Sequence, residues 1–136
     1  MKKLYIVLFI AIPMAIGSKI AIAQTTFQKT FGGTSGDWGY SVQQTADGGF
    51  ALAGTTASFG AGNWDVYLIK TDSNGNTLWT KTFGRVGWDE GSSVQQTADG
   101  GFALAGTTNS FGAGSYDVYL IKTDSNGNTL WTKTFG

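Results

Sequence analysis

The side chains in this sequence that could do acid–base or metal chemistry are nine carboxylates, because the chain has neither histidine nor cysteine. That absence removes a histidine-ligated zinc, a Ser-His-Asp triad and a thiol nucleophile. It also removes any disulfide, whatever the compartment. Asp72-Ser73-Asn74-Gly75-Asn76 has the alternating oxygen ligands of a calcium loop. An EF-hand, however, needs glycine at its sixth position and glutamate at its twelfth. Here glycine is fourth and Phe83 twelfth, so an Asn-Gly hairpin turn is the better reading. Asp47/Asp99 and Asp72/Asp124 are assigned to turns. Asp65/Asp117 open a strand and bond loop backbone, while Asp37, Asp89 and Glu90 are placed in links between repeats. A glycosidase holds two carboxylates about 5 to 10 Å apart, and nothing in the sequence fixes the geometry of the adjacent Asp89 and Glu90. Gly32-Gly33-Thr34-Ser35-Gly36 looks like a phosphate cradle. It has no following Lys-Ser/Thr and no helix behind it, so a flexible link is expected. No catalytic residue, metal site or cofactor is assigned, and the chain is read as non-enzymatic.

Most of the sequence is one unit written twice. Residues 33–84 align with 85–136 at an offset of 52, with nine differences. Residues 25–32 (TTFQKTFG) also match the end of the unit, 77–84 (TLWTKTFG). The chain therefore divides into a leader (1–23), a strand matching the end of a preceding repeat (24–32), and repeats 33–84 and 85–136. Near-identity of this degree makes the shared residues architectural, since a single active site is normally built from unique ones.

The differences carry more functional information. They are Gly33/Arg85, Thr34/Val86, Ser35/Gly87, Gly36/Trp88, Trp38/Glu90, Tyr40/Ser92, Ala57/Asn109, Asn63/Ser115 and Trp64/Tyr116. All fall in the link after the fourth strand or in the loop between the second and third. Variation at one end of a fixed scaffold is the pattern of a binding surface. Trp38, Tyr40, Trp64, Trp88, Tyr116 and Asn109 are the candidate ligand-binding residues, suited to stacking on sugar rings or gripping a peptide. The competing reading is that these rings plug gaps between repeats, because large aromatics favour burial.

The elements that would position these residues are short strands. Ser41–Thr45, Phe50–Thr56, Trp64–Thr71 and Thr77–Phe83 alternate or run apolar, separated by Asp47-Gly48 and Asn74-Gly75 turn signals. Both central positions of the Asp-Gly turn are expected at positive φ. Phe50 and Leu52 face one way and Ala51 and Ala53 the other. The third strand is apolar on both faces and must be covered on both. The fold class expected is all-β: two tandem four-stranded antiparallel blades of propeller type, an incomplete β-propeller, behind a signal peptide. The leader is read from Met1-Lys2-Lys3, the apolar run Leu4 to Gly17 and Ala21-x-Ala23, with cleavage before Gln24. Without Lys2, Lys3 and Lys19, six cations face nine acids, a net charge of −3. That balance speaks against nucleic acid, and no membrane contact is expected once the leader is removed.

Asp47-Gly-Gly-Phe50, Ala53-Gly-Thr-Thr56, Ser58-Phe-Gly-Ala-Gly62, Asp65-Val-Tyr-Leu-Ile-Lys70, Thr71-Asp-Ser-Asn-Gly-Asn76, Leu78-Trp79 and Phe83-Gly84 recur in order. The pattern resembles the secreted bacterial β-propeller repeats of SBBP type. A looser likeness links Asp72, Gly75 and Trp79 to quinoprotein-type propeller repeats, where the tryptophan docks one blade on the next. The resemblance implies an exported, often surface-associated chain with many blades and no defined catalytic activity. Propellers have four to eight blades, so two repeats imply a fragment of a longer protein, or copies that assemble through their blade faces.

The function expected is a structural or adhesive binding module, secreted to the outside or the cell surface, with the periplasm as the other compartment. Its partners would be a polysaccharide or protein at the variable loops, and further blades or copies of itself. A carbohydrate-binding surface built from the loop aromatics is one alternative. Another is part of an enzymatic propeller, quinoprotein-like or hydrolytic, with its catalytic residues outside this chain.

Overall fold

The computed structural model describes residues 27–136, all of them strand, turn or loop. The expected leader, its cleavage point and residues 24–26 lie outside the described residues, and residues 27–32, the rest of the strand expected over 24–32, form no strand. Eight strands follow in order: β1 (Asp37–Gln44), β2 (Phe50–Thr56), β3 (Asp65–Thr71), β4 (Thr77–Phe83), β5 (Asp89–Gln96), β6 (Phe102–Thr108), β7 (Asp117–Thr123) and β8 (Thr129–Phe135). They form two four-stranded antiparallel meanders, β1-β2-β3-β4 and β5-β6-β7-β8. The two registers are the same pairings displaced by one repeat. Ala53 faces Ser41 and Leu68 in the first sheet, as Ala105 faces Ser93 and Leu120 in the second.

The second and fourth strands have the expected bounds. The first and third differ. β1 and β5 begin at Asp37 and Asp89 rather than at the serines. Asp37, Asp89 and Glu90 are therefore strand residues, not link residues. β3 begins at Asp65, because Trp64 is drawn instead into a parallel bridge with Trp88.

The turns differ from expectation in kind. Thr45 N donates to Gly49 O at 2.9 Å, and Gly48 N donates to Thr45 O at 2.8 Å. Gly48 alone takes a positive φ, +84°; Asp47 does not. This is a three-residue hairpin loop closed by a left-handed glycine, not a two-residue turn with both positions left-handed. The aspartate instead folds its side chain over the loop. Asp47 Oδ1 accepts from Gly49 N at 3.0 Å and from the Thr45 hydroxyl at 2.5 Å. The Asp72–Asn76 turn is built alike, with Gly75 at φ +77°. There Asp72 Oδ1 accepts from the amides of Asn74 and Asn76, both at 2.8 Å. The carboxylate of the calcium-like motif is thus engaged with its own backbone.

Strand alternation decides how the sheets meet. One face of the first sheet carries Ala51, Ala53, Val66, Leu68 and Phe83. The opposite-facing set of the second sheet carries Val94, Phe102, Leu104, Tyr119 and Ile121. These ten residues form the buried core. The small alanines let the sheets approach, and the large rings of the partner fill the space. Burying each of Phe102, Leu68, Leu104 and Ile121 contributes roughly 1.5 to 3 kcal/mol. Every residue of β3 is buried, as a strand apolar on both faces requires. Its copy β7 is buried only at alternate positions, because its alanine-side face has no sheet against it.

Polar ties fix the same contact. The amides of Val94 and Gln96 on β5 donate to Ser41 Oγ (3.3 Å) and Gln43 Oε1 (2.6 Å) of β1. The Thr55 hydroxyl reaches the carbonyls of Asp65 (3.1 Å) and Asp89 (3.0 Å), linking the sheets at their other end.

Candidate functional site

A meander places its connections alternately at two ends. The Thr45–Gly49 and Asp72–Asn76 turns, with their copies, lie at one end. The loop 57–64 and the link 84–88 lie at the other, together with 33–36 and 109–116. All nine positions that differ between repeats are therefore at or beside this second end.

Three of the candidate aromatics come together there. Trp38 and Trp64 stack at 4.5 Å between centroids with 18° between planes, and Trp64 meets Trp88 at 5.4 Å and 50°. Backbone bonds position the contact: Asp89 N donates to Trp64 O at 2.8 Å, and Asn109 N to Trp88 O at 3.0 Å. Trp64 is half-buried, whereas Trp38 and Trp88 are 50% and 42% exposed. Trp64 thus joins the repeats, while its two neighbours face solvent.

The other candidates divide. Asn109 belongs to the cluster through its side chain, whose Oδ1 accepts from Trp88 N at 2.6 Å. Tyr40 is exposed, with Glu90 as its charged neighbour. Burial of the ring and the Glu90 charge raise its pKa. Tyr116 is exposed and stands in the place of Trp64 in the second repeat, without an aromatic partner among the described residues.

Beneath the row lies a carboxylate network that sequence reasoning missed. Asp37 accepts from the hydroxyls of Thr56 and Ser58 (the latter at 2.7 Å) and from Gly33 N at 2.8 Å. Asp89 accepts likewise from Thr108, from Ser110 at 2.6 Å and from Arg85 N at 3.0 Å. The Gly33–Gly36 segment is thereby tied down, rather than being the flexible link expected. Ser35 N adds a bond to Ser58 Oγ at 3.0 Å. For Asp37, burial raises the pKa, but the bonds from Thr56, Ser58 and Gly33 outweigh it, so the carboxyl lies below its ordinary value. A signal was present in the sequence. Six of the eight positions 33–40 differ between repeats, and Asp37 and Gly39 are the two that do not.

Asp65 accepts from Ala61 N (2.9 Å) and Gly62 N (3.1 Å), the loop-backbone role read from sequence. Asp117 does the same for Ala113 N at 3.0 Å. Asp65 and Asp89 converge on Gly84, where a Cβ would run into both carboxylates. Burial first, and then the charge of Asp89, raise the Asp65 pKa. No group of three or more His, Cys, Asp or Glu able to hold a metal occurs among the described residues. What the end of the molecule offers chemically is a half-exposed indole row over a network of satisfied carboxylates. That arrangement can stack on a ligand.

Neither a family model nor a curated protein matches the chain.

Proposed function

We propose that this chain is an exported, non-enzymatic repeat module of propeller type whose work is structural and adhesive. In this reading each four-stranded sheet is a blade, and the strand residues shared by both repeats are a scaffold for the variable end. The observation that carries it is the Trp38–Trp64–Trp88 row. It is assembled from both repeats, half-exposed, and located where the repeats differ. The engagement of Asp37, Asp47, Asp65, Asp72 and Asp89 with their own loops and turns supports a non-catalytic role.

A narrower reading makes the ligand a carbohydrate. It is favoured by the flat exposed indoles of Trp38 and Trp88, since indole faces stack on apolar sugar faces. Retention of the chain on a panel of insoluble polysaccharides and immobilised proteins tests both readings. Adhesion predicts retention on at least one surface, weakened several-fold by Trp38→Ala and by Trp88→Ala. Retention confined to polysaccharide selects the narrower reading. Retention that neither substitution changes removes the row from the function.

A further inference from the structure

The two sheets leave one unlike face each, and these faces match. On the outer face of the second sheet, Val118, Trp131 and Phe135 are exposed. Their copies one repeat earlier, Val66, Trp79 and Phe83, are the residues by which the first sheet packs on the second. Val66 is 1% exposed where Val118 is 52%. On the outer face of the first sheet, Val42 is exposed and Phe50 and Leu52 are half-buried. Their copies Val94, Phe102 and Leu104 are core. The molecule thus presents, on opposite sides, both halves of a contact that it already makes internally.

The open half is a shaped groove. A cavity of about 330 Å³ runs along Phe31, Trp38, Gly39, Leu52, Tyr67 and Ile69. Gly39 marks its floor. A Cβ there would meet nothing within 4 Å, whereas a Cβ on its copy Gly91 would meet Val66 Cγ1 at 2.8 Å. The groove therefore lies where a valine of a preceding sheet would sit.

One side of that seat is already filled, and by a mimic. Phe27 sits edge-on to Phe50 at 5.7 Å, as Trp79 sits on Phe102 at 5.7 Å. Lys29 Nζ donates to Asn76 Oδ1 at 3.0 Å, as Lys81 does to Asn128 at 2.9 Å. Lys29 and Lys81 also lower the pKa of Asp72 and Asp124 respectively, after the bonds from the neighbouring asparagines. On the free face of the second sheet, Trp131 and Lys133 are the matching pair, so Lys133 of an incoming copy can replace Lys29 beside Asn76 and Asp72.

We propose that the outer face of the first sheet is a docking site for a second copy of this chain. The incoming copy presents Val118, Trp131, Lys133 and Phe135, and its Trp131 takes the seat of Phe27. The contact joins unlike faces, so it is heterologous and leaves a new free face at each end. Segment 27–32 is a built-in competitor: it covers Phe50 until a copy displaces it. The inference rests on the equivalence of the repeats. Trp38 lines the groove and also belongs to the tryptophan row, so the test uses Gly39 and Val118, which lie outside the row.

Sedimentation of the purified chain, expressed from its full sequence, tests it against concentration. Association should appear as concentration rises. Val118→Asp and Gly39→Leu should each weaken it about tenfold or more. Gly39→Leu points into open space in the single molecule, so its melting temperature should not fall. Phe27→Ala should strengthen association by removing the competitor. Because the chain has no cysteine, Gly39→Cys with Val118→Cys gives a direct readout. Oxidation should link copies into covalent dimers and larger species, faster than in either single variant. A chain that stays monomeric to millimolar concentration leaves the groove to some other partner and overturns the proposal. Oligomers that Gly39→Leu leaves intact, or cross-linking no faster than in the single variants, also overturn it. Association unchanged by Phe27→Ala overturns the displacement step.

Discussion

Trp79 and Trp131 occupy the same place in their repeats and have unlike surroundings. Trp79 meets Phe102 edge-on at 5.7 Å and packs against the core, while Trp131 is exposed on the outer face of the second sheet. The difference arises from position in the stack, because each tryptophan pairs with the same lysine in its own sheet, Lys70 or Lys122. Trp79→Ala should therefore cost about 2 to 4 kcal/mol, the range for emptying a large, partly buried aromatic site. Trp131→Ala should cost less than about 1 kcal/mol. Urea unfolding of both variants in dilute protein checks the contrast, and equal losses would show that the sheets do not stack as described.

Asp89 and Asp37 make the same three bonds, but only Asp89 is enclosed. The first sheet covers it through Thr55 and Asp65, and it has no exposed surface. Asp89→Ala leaves the Thr108 and Ser110 hydroxyls and the Arg85 amide without their acceptor inside the contact between sheets. The expected loss is about 3 kcal/mol, with about 1 kcal/mol for Asp37→Ala, whose donors can turn to water. Thermal melts of the two variants measure the difference.

Period-two alternation was enough to place the sheets. The Phe50/Leu52 and Ala51/Ala53 faces are visible in the sequence, and so is the need to cover β3 on both sides. The turn geometry was legible only in outline. The sequence marks Asp47-Gly48 as a turn, but the loop length is decided by the side chain of Asp47, which bonds Gly49 and Lys70. The start of β1 was missed because residues 33–40 look like variable link. Asp37 is bound by Thr56 and Ser58, 19 and 21 residues later, and no local pattern reports a partner that far away. The variable end was legible as a list of differences. The meeting of Trp38, Trp64 and Trp88 was not, since it depends on the bridge between Trp64 and Trp88 across the two sheets.

Acid should weaken the fold through the hairpin turns. The Lys70 ammonium, whose side chain is 6% exposed, donates to Asp47 Oδ2 at 2.8 Å and Oδ1 at 3.1 Å. That bond first, then those of Thr45 and Gly49, hold the Asp47 carboxyl well below the usual carboxylate range. Asp99 is held likewise, first by Lys122. A depressed folded pKa means that the stabilisation is complete above the unfolded value of about 3.9 and is lost as pH falls below it. Asp47 is largely exposed, so solvent screening keeps its share below about 1 kcal/mol. Urea midpoints measured from neutral pH to pH 2 should decline below about pH 4, and Asp47→Asn should make that decline shallower. An unaltered acid limb in Asp47→Asn would place the acid sensitivity elsewhere.

The tryptophan row supplies its own spectroscopic reporter. Trp38 and Trp64 lie 4.5 Å apart and nearly parallel, close enough for their excited states to couple. Coupled indoles give a paired positive and negative band in far-ultraviolet circular dichroism, a signal that isolated tryptophans such as Trp131 do not produce. Trp64→Leu removes the ring common to both contacts, so it should abolish the paired band. It should also lower stability by about 1 to 3 kcal/mol, because the Trp64 ring is half-buried between the repeats. Trp38→Leu should weaken the band with less effect on stability, since Trp38 is the more exposed partner. A ligand that stacks on Trp38 or Trp88 should change the band on titration. A band insensitive to Trp64→Leu would mean that the row does not form in solution.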